Sequence, residues 1–384
     1  MSGVLIAGGT VVTPFEEIAA DVLIEGGIIS RVEAAIEADG AELVDASGCI
    51  VAPGSIDLHI QGHSGRDFWE GTYEAANHIS LAMPPAGVTA IVPTTDGDPE
   101  TLGALAEAIQ RGVDGAQFLG IHSEGPFVSP KRLGAIGEDK ARAVDMGLLK
   151  RLLEAGAGHV CIMTIAPEIP GALQAISFLA ESGVLPSLGH SCATYEEAAA
   201  GFDAGAGRIT HLFNAMTSFA EREDGGLAAA ALLGEDIFIE TVCDCVHVHP
   251  VILRMAARAV GCARNAAVTD SVKVAGMPPG RYESAGHGYE IFVASDGQPP
   301  RLRDGTIAGS ALSMDQALRN LVGKVGLSLA EVFQMAALAP AATLGIQRQK
   351  GCIRPGCDGD IVIYNPHLEV EATYIGGRAV FRRG

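Results

Sequence analysis

The stretch DLHIQGHSG, residues 57–65, closes the first long apolar run of this chain, and the reading of the fold starts there. Alternate side chains of a strand face the same side, so two histidines one residue apart at a strand end point into one cavity. Many metal hydrolases use that arrangement. Here the first position is His59 and the second is Gln61. Either this is a metal site with one arm missing, or it is an ordinary strand end with stray histidines. The other strand ends decide between the two.

Working outward, the run CIVAPGSIDLHI (49–60) is the first of eight β-rich stretches, each followed by a loop and a helical segment. The others are VTAIVPTT (88–95), FLGIHSE (118–124), HVCIMTIAPE (159–168), VLPSLGH (184–190), RITHLFN (208–214), IFIETVCD (237–244) and NAAVTD (265–270). Two helices carry start signals, Thr194 with Glu197 before YEEAAAGF and Ser313 with Gln316 before MDQALRNLV. Eight such units predict an α/β fold of the (β/α)8 barrel type. A doubly wound open sheet is the alternative, weakened because no GxGxxG stands between a strand and a helix. Before and after these units the chain changes character. VLIAGGTVV, DVLIEGGIISRVE and AELVDASGCIVAPG read as short antiparallel strands with glycine turns, and so do DGDIVIYNP and EATYIGGRAVF near the other end. Residues 1–50 and 348–384 are therefore expected to form one small β domain beside a catalytic barrel spanning 51–347.

Composition narrows the class. A chain of 384 residues, 48% apolar, can bury a large core. No apolar run approaches the roughly 18 to 20 residues of a membrane span, and MSGVLIAGGTVVTP lacks the basic start and long apolar centre of a signal peptide. A soluble, cytoplasmic protein with no membrane partner is expected. The eight cysteines (49, 161, 192, 243, 245, 262, 352, 357) show neither CxxC nor regular spacing, which predicts reduced, mostly buried thiols. A net charge of −20 argues against a nucleic-acid partner, because phosphate backbones need a basic surface. Any anionic substrate must be held by a local cluster of cations.

In a barrel of this type the C-terminal ends of the strands converge on one face. His59 ends the first strand, Glu124 the third, His190 the fifth, His211 the sixth and Asp270 the eighth, and His247 follows the seventh in CDCVHVHP. A lone histidine near an apolar strand is commonly a hydrogen-bonded core residue. A carboxylate and two imidazoles from three strands are instead the kind of set that holds a divalent metal and leaves a position open for water. Glu124, His190 and His211 are the expected ligands. Asp270 reads either as a cap before a turn-rich segment or, next to a metal, as a proton carrier, and the second use suits an isolated barrel-end carboxylate better. His63, His78, His159, His249, His287 and His367 read as structural or surface residues. Arg222, in FAEREDGG, reads as a solvated loop arginine or as the anchor of an anionic substrate, for which a planar guanidinium is suited.

These residues, in these motifs, make the chain resemble the amidohydrolase superfamily, and within it the N-acetylglucosamine-6-phosphate deacetylases. The matching stretches run in order along nearly the whole chain: PGSIDLHIQG, HSEGPFVSPKRLGA, LGHSCATYEEA, THLFNAM, EREDGGLAAAALL, DCVHVHP, VTDS, GTIAGSALSMDQALRNL and GCIRPGCDGDIVIYN. The resemblance implies a distorted barrel with a small β-sandwich domain built from both ends. It implies one divalent ion per chain, zinc or iron, on Glu124, His190 and His211, with room for a weak second ion near His59. Asp270 would be the catalytic acid and base. Substrate contacts would come from Ala135, Ile136, Asn214, Ala215, Arg222 and His247, and from the backbone at Ile307, Ala308 and Gly309. The implied reaction releases acetate from N-acetyl-D-glucosamine 6-phosphate, in a homodimer whose phosphate-binding arginine reaches across the interface. Two departures stand out. The family usually has a histidine where this chain has Ile136 in GAIG, and the strand-one pair is His59 with Gln61. Two rival readings are weaker. A cyclic-amide hydrolase commonly needs a bridging modified lysine, and no strand end here carries one. A non-catalytic barrel scaffold would not need Glu124, His190, His211 and Asp270 together.

Overall fold

In a computed structural model, which describes residues 3–220, 222–283, 290–293 and 298–384, eight parallel strands form a nearly closed barrel. They are Ser55–Ile60, Val88–Thr95, Ile121–Glu124, Val160–Ile165, Leu185–Leu188, Arg208–Ile209, Phe238–Val242 and Asn265–Val268. Each pairs with the next in parallel register. The seam between the last and the first is joined at its upper end. The Asp270 amide donates to the His59 carbonyl at 2.9 Å, the Gln61 amide donates to the Ser271 carbonyl at 2.8 Å, and Ile60 bridges Ser271. Every residue of Ser55–Ile60 and of Val88–Thr95 is buried, because helices cover the outer face while side chains fill the interior.

The helices start where the local chemistry lets them. Asp98 accepts from the Thr101 amide ahead of Pro99–Arg111, and Asp145 accepts from two amides ahead of Met146–Ala155. Thr194 and Glu197 form the expected reciprocal box on Tyr195–Asp203. The helix Met314–Asn320 also begins where expected, but without the box. The Ser313 hydroxyl donates to Asp315 at 2.5 Å, and Gln316 turns to Asn320 at 3.2 Å. The hydroxyl is turned toward that carboxylate, and its oxygen accepts from no helix amide. This helix runs on into a π-helical stretch, Leu321–Val325.

The first β-rich run divides in two. Ile50–Pro53 belongs to a separate sheet and Ser55–Ile60 to the barrel. Gly54 marks the crossing, where a Cβ would lie 2.2 Å from the Thr89 hydroxyl, so only glycine lets the chain pass. The separate sheet has eight strands drawn from both chain ends, in the order Arg378–Arg382, Val370–Ile375, Ile361–Tyr364, Ile50–Pro53, Val4–Val12, Glu17–Glu25, Ile28–Glu33, with Glu42–Asp45 also on Val4–Val12. It is mixed where the sequence suggested antiparallel pairing. Val4–Val12 kinks between Ile6 and Gly9, and its two halves take Glu42–Asp45 and Ile50–Pro53 as successive parallel partners. Alternation then orients the faces. Val51, Ile361 and Ile363 enter the sheet's own core, whereas Ala52, Val362 and Tyr364 pack into the main barrel core. All eight cysteines are free thiols, as their spacing predicted.

Candidate metal centre

Glu124 is the last residue of its strand, and His190 and His211 each stand two residues past theirs. Glu124 Oε1 lies 3.0 Å from His190 Nε2 and 3.0 Å from His211 Nε2, and the two nitrogens are 3.0 Å apart. His190 Nδ1 sits 2.8 Å from the Arg132 carbonyl, which can only accept. Nδ1 therefore carries a proton, and Nε2 faces the cluster. Burial pulls His211 down to about 4, only partly offset by Glu124, so its ring is neutral. Burial opposes charge on Glu124, but the imidazoles of His59, His190 and His211 hold its carboxyl well below the usual range. One carboxylate and two imidazoles aimed at a common point fit a divalent cation by type and number.

The open question at residues 57–65 is settled by packing. His59 is fully buried. Its Nε2 lies 3.3 Å from Glu124 and 3.4 Å from Asp270, while Nδ1 is 2.7 Å from Glu240, which is itself ion-paired with buried Arg208. Gln61 points to the same place, as alternation requires, and donates to Glu124 at 2.8 Å and to Asp270 at 3.4 Å. The second arm is present as an amide donor. Burial, reinforced by Glu124, pushes Asp270 up to about 6 against the pull of His59. The segment after Asp270 starts no helix, since Ser271 bridges Ile60 and Ser310, so the capping role is replaced by contact with the site. His190, His211 and Asp270 all have positive φ, at 47°, 28° and 49°. Such bends cost energy and turn the three side chains off their strand ends toward one point.

A cavity of about 310 Å3 opens over these groups. Of the expected substrate contacts, Ala135, Ile136, Asn214, Ala215, His247, Ile307 and Gly309 line it. Ala308 lines an adjoining crevice instead, beside Trp69 and Ala135. Arg222 is exposed and does not line the cavity of this chain. His247 Nδ1 lies 2.6 Å from Asp244. Burial lowers the imidazolium's pKa, and the carboxylate more than offsets this, so the net shift is upward. The histidines read as structural stand away from the cavity lining. His63 bonds Ser64, His78 meets the Ser64 carbonyl and His249 caps Pro250–Val260, while His159 and His367 lie in loops and His287 falls outside the described residues. Sequence reasoning missed Asp96, Trp69 and Thr306 in the lining, and the Arg208–Glu240 pair and His122 beneath it. For Asp96 a signal existed: it follows VTAIVPTT directly, at a strand end to which no chemical role was given.

The chain matches the family model described as "Amidohydrolase family" over residues 50–380. It is 34% identical over 358 residues to the N-acetylgalactosamine-6-phosphate deacetylase of Escherichia coli O157:H7, covering 91% of this chain and 93% of that one. It is 33% identical to the N-acetylglucosamine-6-phosphate deacetylase of Lysinibacillus sphaericus, covering 93% and 92%. Among solved structures, a mutant N-acetyl-D-glucosamine-6-phosphate deacetylase from Mycobacterium smegmatis in complex with N-acetyl-D-glucosamine-6-phosphate superposes with a TM-score of 0.92 at 32% identity, over 99% of this chain and 100% of that one. With the fold, the donor set and these likenesses in agreement, the chain belongs to the amidohydrolase family and, within it, to the N-acetylglucosamine-6-phosphate deacetylases.

Proposed function

We propose that this protein is a metal-dependent deacetylase that hydrolyses N-acetyl-D-glucosamine 6-phosphate to D-glucosamine 6-phosphate and acetate. The observation that carries this is the convergence of Glu124, His190 and His211 on one point, with Asp270 beside them on the floor of a cavity of small-molecule size. The names of the related proteins support it. Glu124, His190 and His211 would hold one divalent ion, zinc or iron, and His59 would lend a weaker position for a second. When bound, the ion supplies Lewis acidity, polarising the acetamide carbonyl and lowering the pKa of water.

Asp270 takes the proton from the attacking water and hands it to the departing nitrogen, since an amine leaves far more readily than an amide anion. His247, held through Nδ1 by Asp244, turns Nε2 toward the amide carbonyl or a sugar hydroxyl. Asn214, Ala215 and the wall at Ile307 and Gly309 position the sugar. Arg222, exposed and outside its own cavity, would hold the phosphate of a neighbouring subunit in a homodimer. Binding energy at that remote phosphate places the amide for attack. The absence of any helix among the described residues long and apolar enough to cross a membrane is compatible with a cytoplasmic enzyme. A second sugar, N-acetyl-D-galactosamine 6-phosphate, is favoured by the 34% identical relative named as a deacetylase of that sugar phosphate. A panel of N-acetyl hexosamines with and without 6-phosphate, assayed for released acetate with metal-replete protein, tests both. No acetate from any member overturns the deacetylase reading.

A further inference from the structure

Three carboxylates line the cavity, and two of them, Glu124 and Asp270, are taken up by the metal centre and proton transfer. The third is Asp96, one residue past the second barrel strand. Asp96 is only 6% exposed, and among the described residues neither of its carboxylate oxygens has a hydrogen-bond partner. Lys140 Nζ stands 3.3 Å from Oδ2, an ion pair without hydrogen-bond geometry that leaves the lone pairs unsatisfied. Burying a charged acceptor this way is unfavourable unless donors arrive with a ligand. On the same lining, Ile136 offers no polar atom to a sugar. A hexosamine phosphate has its amide on carbon 2 and its phosphate on carbon 6, which leaves the hydroxyls of carbons 1, 3 and 4 to shed water and find acceptors. A cationic donor would meet Lys140, so neutral hydroxyls are the donors that fit. We infer that Asp96 accepts a hydrogen bond from a ring hydroxyl of the bound sugar and is thereby a specificity-determining residue of the site. The inference rests on the deacetylase reading and adds to it the group that reads the sugar.

The obvious competing role is mechanical, with Asp96 serving only to anchor, through Lys140, the segment that carries Ala135 and Ile136. Kinetics separate the two. Metal-replete wild type, Asp96→Ala, Asp96→Asn and Lys140→Met are assayed for acetate release from N-acetylglucosamine 6-phosphate, its carbon-4 epimer, and the 1-deoxy, 3-deoxy and 4-deoxy analogues. Asp96→Ala should lower kcat/KM on the parent sugar roughly 10- to 100-fold, as for loss of a charge-assisted hydrogen bond. On one deoxy analogue, which lacks the hydroxyl in question, the variant should match wild type. Asp96→Asn, which keeps an acceptor oxygen, should recover part of the loss, and it also serves if the alanine variant does not fold. Lys140→Met should preserve the wild-type ratio between parent and deoxy sugars. If Asp96→Ala slows all five sugars by one factor, or slows none, or if Lys140→Met reproduces its pattern, the inference is overturned while the deacetylase reading stands. If wild type releases acetate from none of them, the deacetylase reading fails, and this one with it.

Discussion

Asp270 stands two residues past the last barrel strand, with Gln61, His59 and Glu124 around its carboxylate. Replacing it by asparagine keeps the shape and removes the ability to take a proton. Asp270→Asn should keep its fold and metal and lose at least about a hundredfold in turnover, in line with general acid and base groups. Steady-state rates on metal-replete protein check this, and near-normal activity would remove Asp270 from that role. The ligands call for a different measurement. His190→Ala and His211→Ala should each lower bound metal on elemental analysis, whereas His59→Ala should retain at least one ion. The reason is geometric: His190 and His211 share one carboxylate oxygen at 3.0 Å, while His59 faces the other oxygen at 3.3 Å. An empty site in His59→Ala would show that the minimal donor set includes it.

The loop from His190 leads straight into the helix Tyr195–Asp203 through its capping box. The Thr194 hydroxyl accepts from the Glu197 amide at 3.2 Å, and the Thr194 amide donates to the Glu197 carboxylate at 2.9 Å. Thr194→Ala should cost about 1 kcal/mol of unfolding free energy by denaturant titration. Ser313→Ala, at a helix start with the same signature, should cost clearly less, because its hydroxyl is bonded to Asp315 and caps nothing. Equal losses at the two sites would mean that the hydroxyls act through something other than capping. The two positions look alike in sequence. Both have a carboxylate two residues on, Glu196 and Asp315, and what separates them is where the hydroxyl turns: toward the Glu197 amide at Thr194 and toward Asp315 at Ser313.

A molecule with a net charge of −20 repels a dianionic sugar phosphate on average, so capture depends on a few placed cations. Arg222→Ala should raise KM strongly for the 6-phosphate sugar, by about 2 to 3 kcal/mol in kcat/KM, and hardly at all for the unphosphorylated one. The proposed homodimer allows a sharper test. If Arg222 serves the neighbouring subunit's site, a hybrid of Arg222→Ala with Asp270→Asn has one site with both an intact Asp270 and an intact Arg222. Mixing the two deficient proteins under exchange conditions should therefore restore phosphate-dependent activity. No recovery, with hybrid dimers demonstrated by mass spectrometry, would place Arg222 outside the partner's site.

Much of this was legible along the chain because it is local or periodic. Eight buried runs between helical segments specify a barrel, and a barrel brings strand ends together, so Glu124, His190, His211 and Asp270 could be gathered from their positions alone. Non-local pairing was not legible in the same way. That CIVAPGSIDLHI is two strands in two sheets depends on Gly54 meeting Thr89, and the parallel partners of Val4–Val12 depend on its kink. The Arg208–Glu240 pair behind His59 joins neighbouring strands that only barrel closure sets beside the first. Asp96 had the right address at a strand end, but its character as a buried acceptor with no donor among the described residues follows from the desolvation around it. Desolvation is a property of the packed fold, which no single stretch of sequence carries.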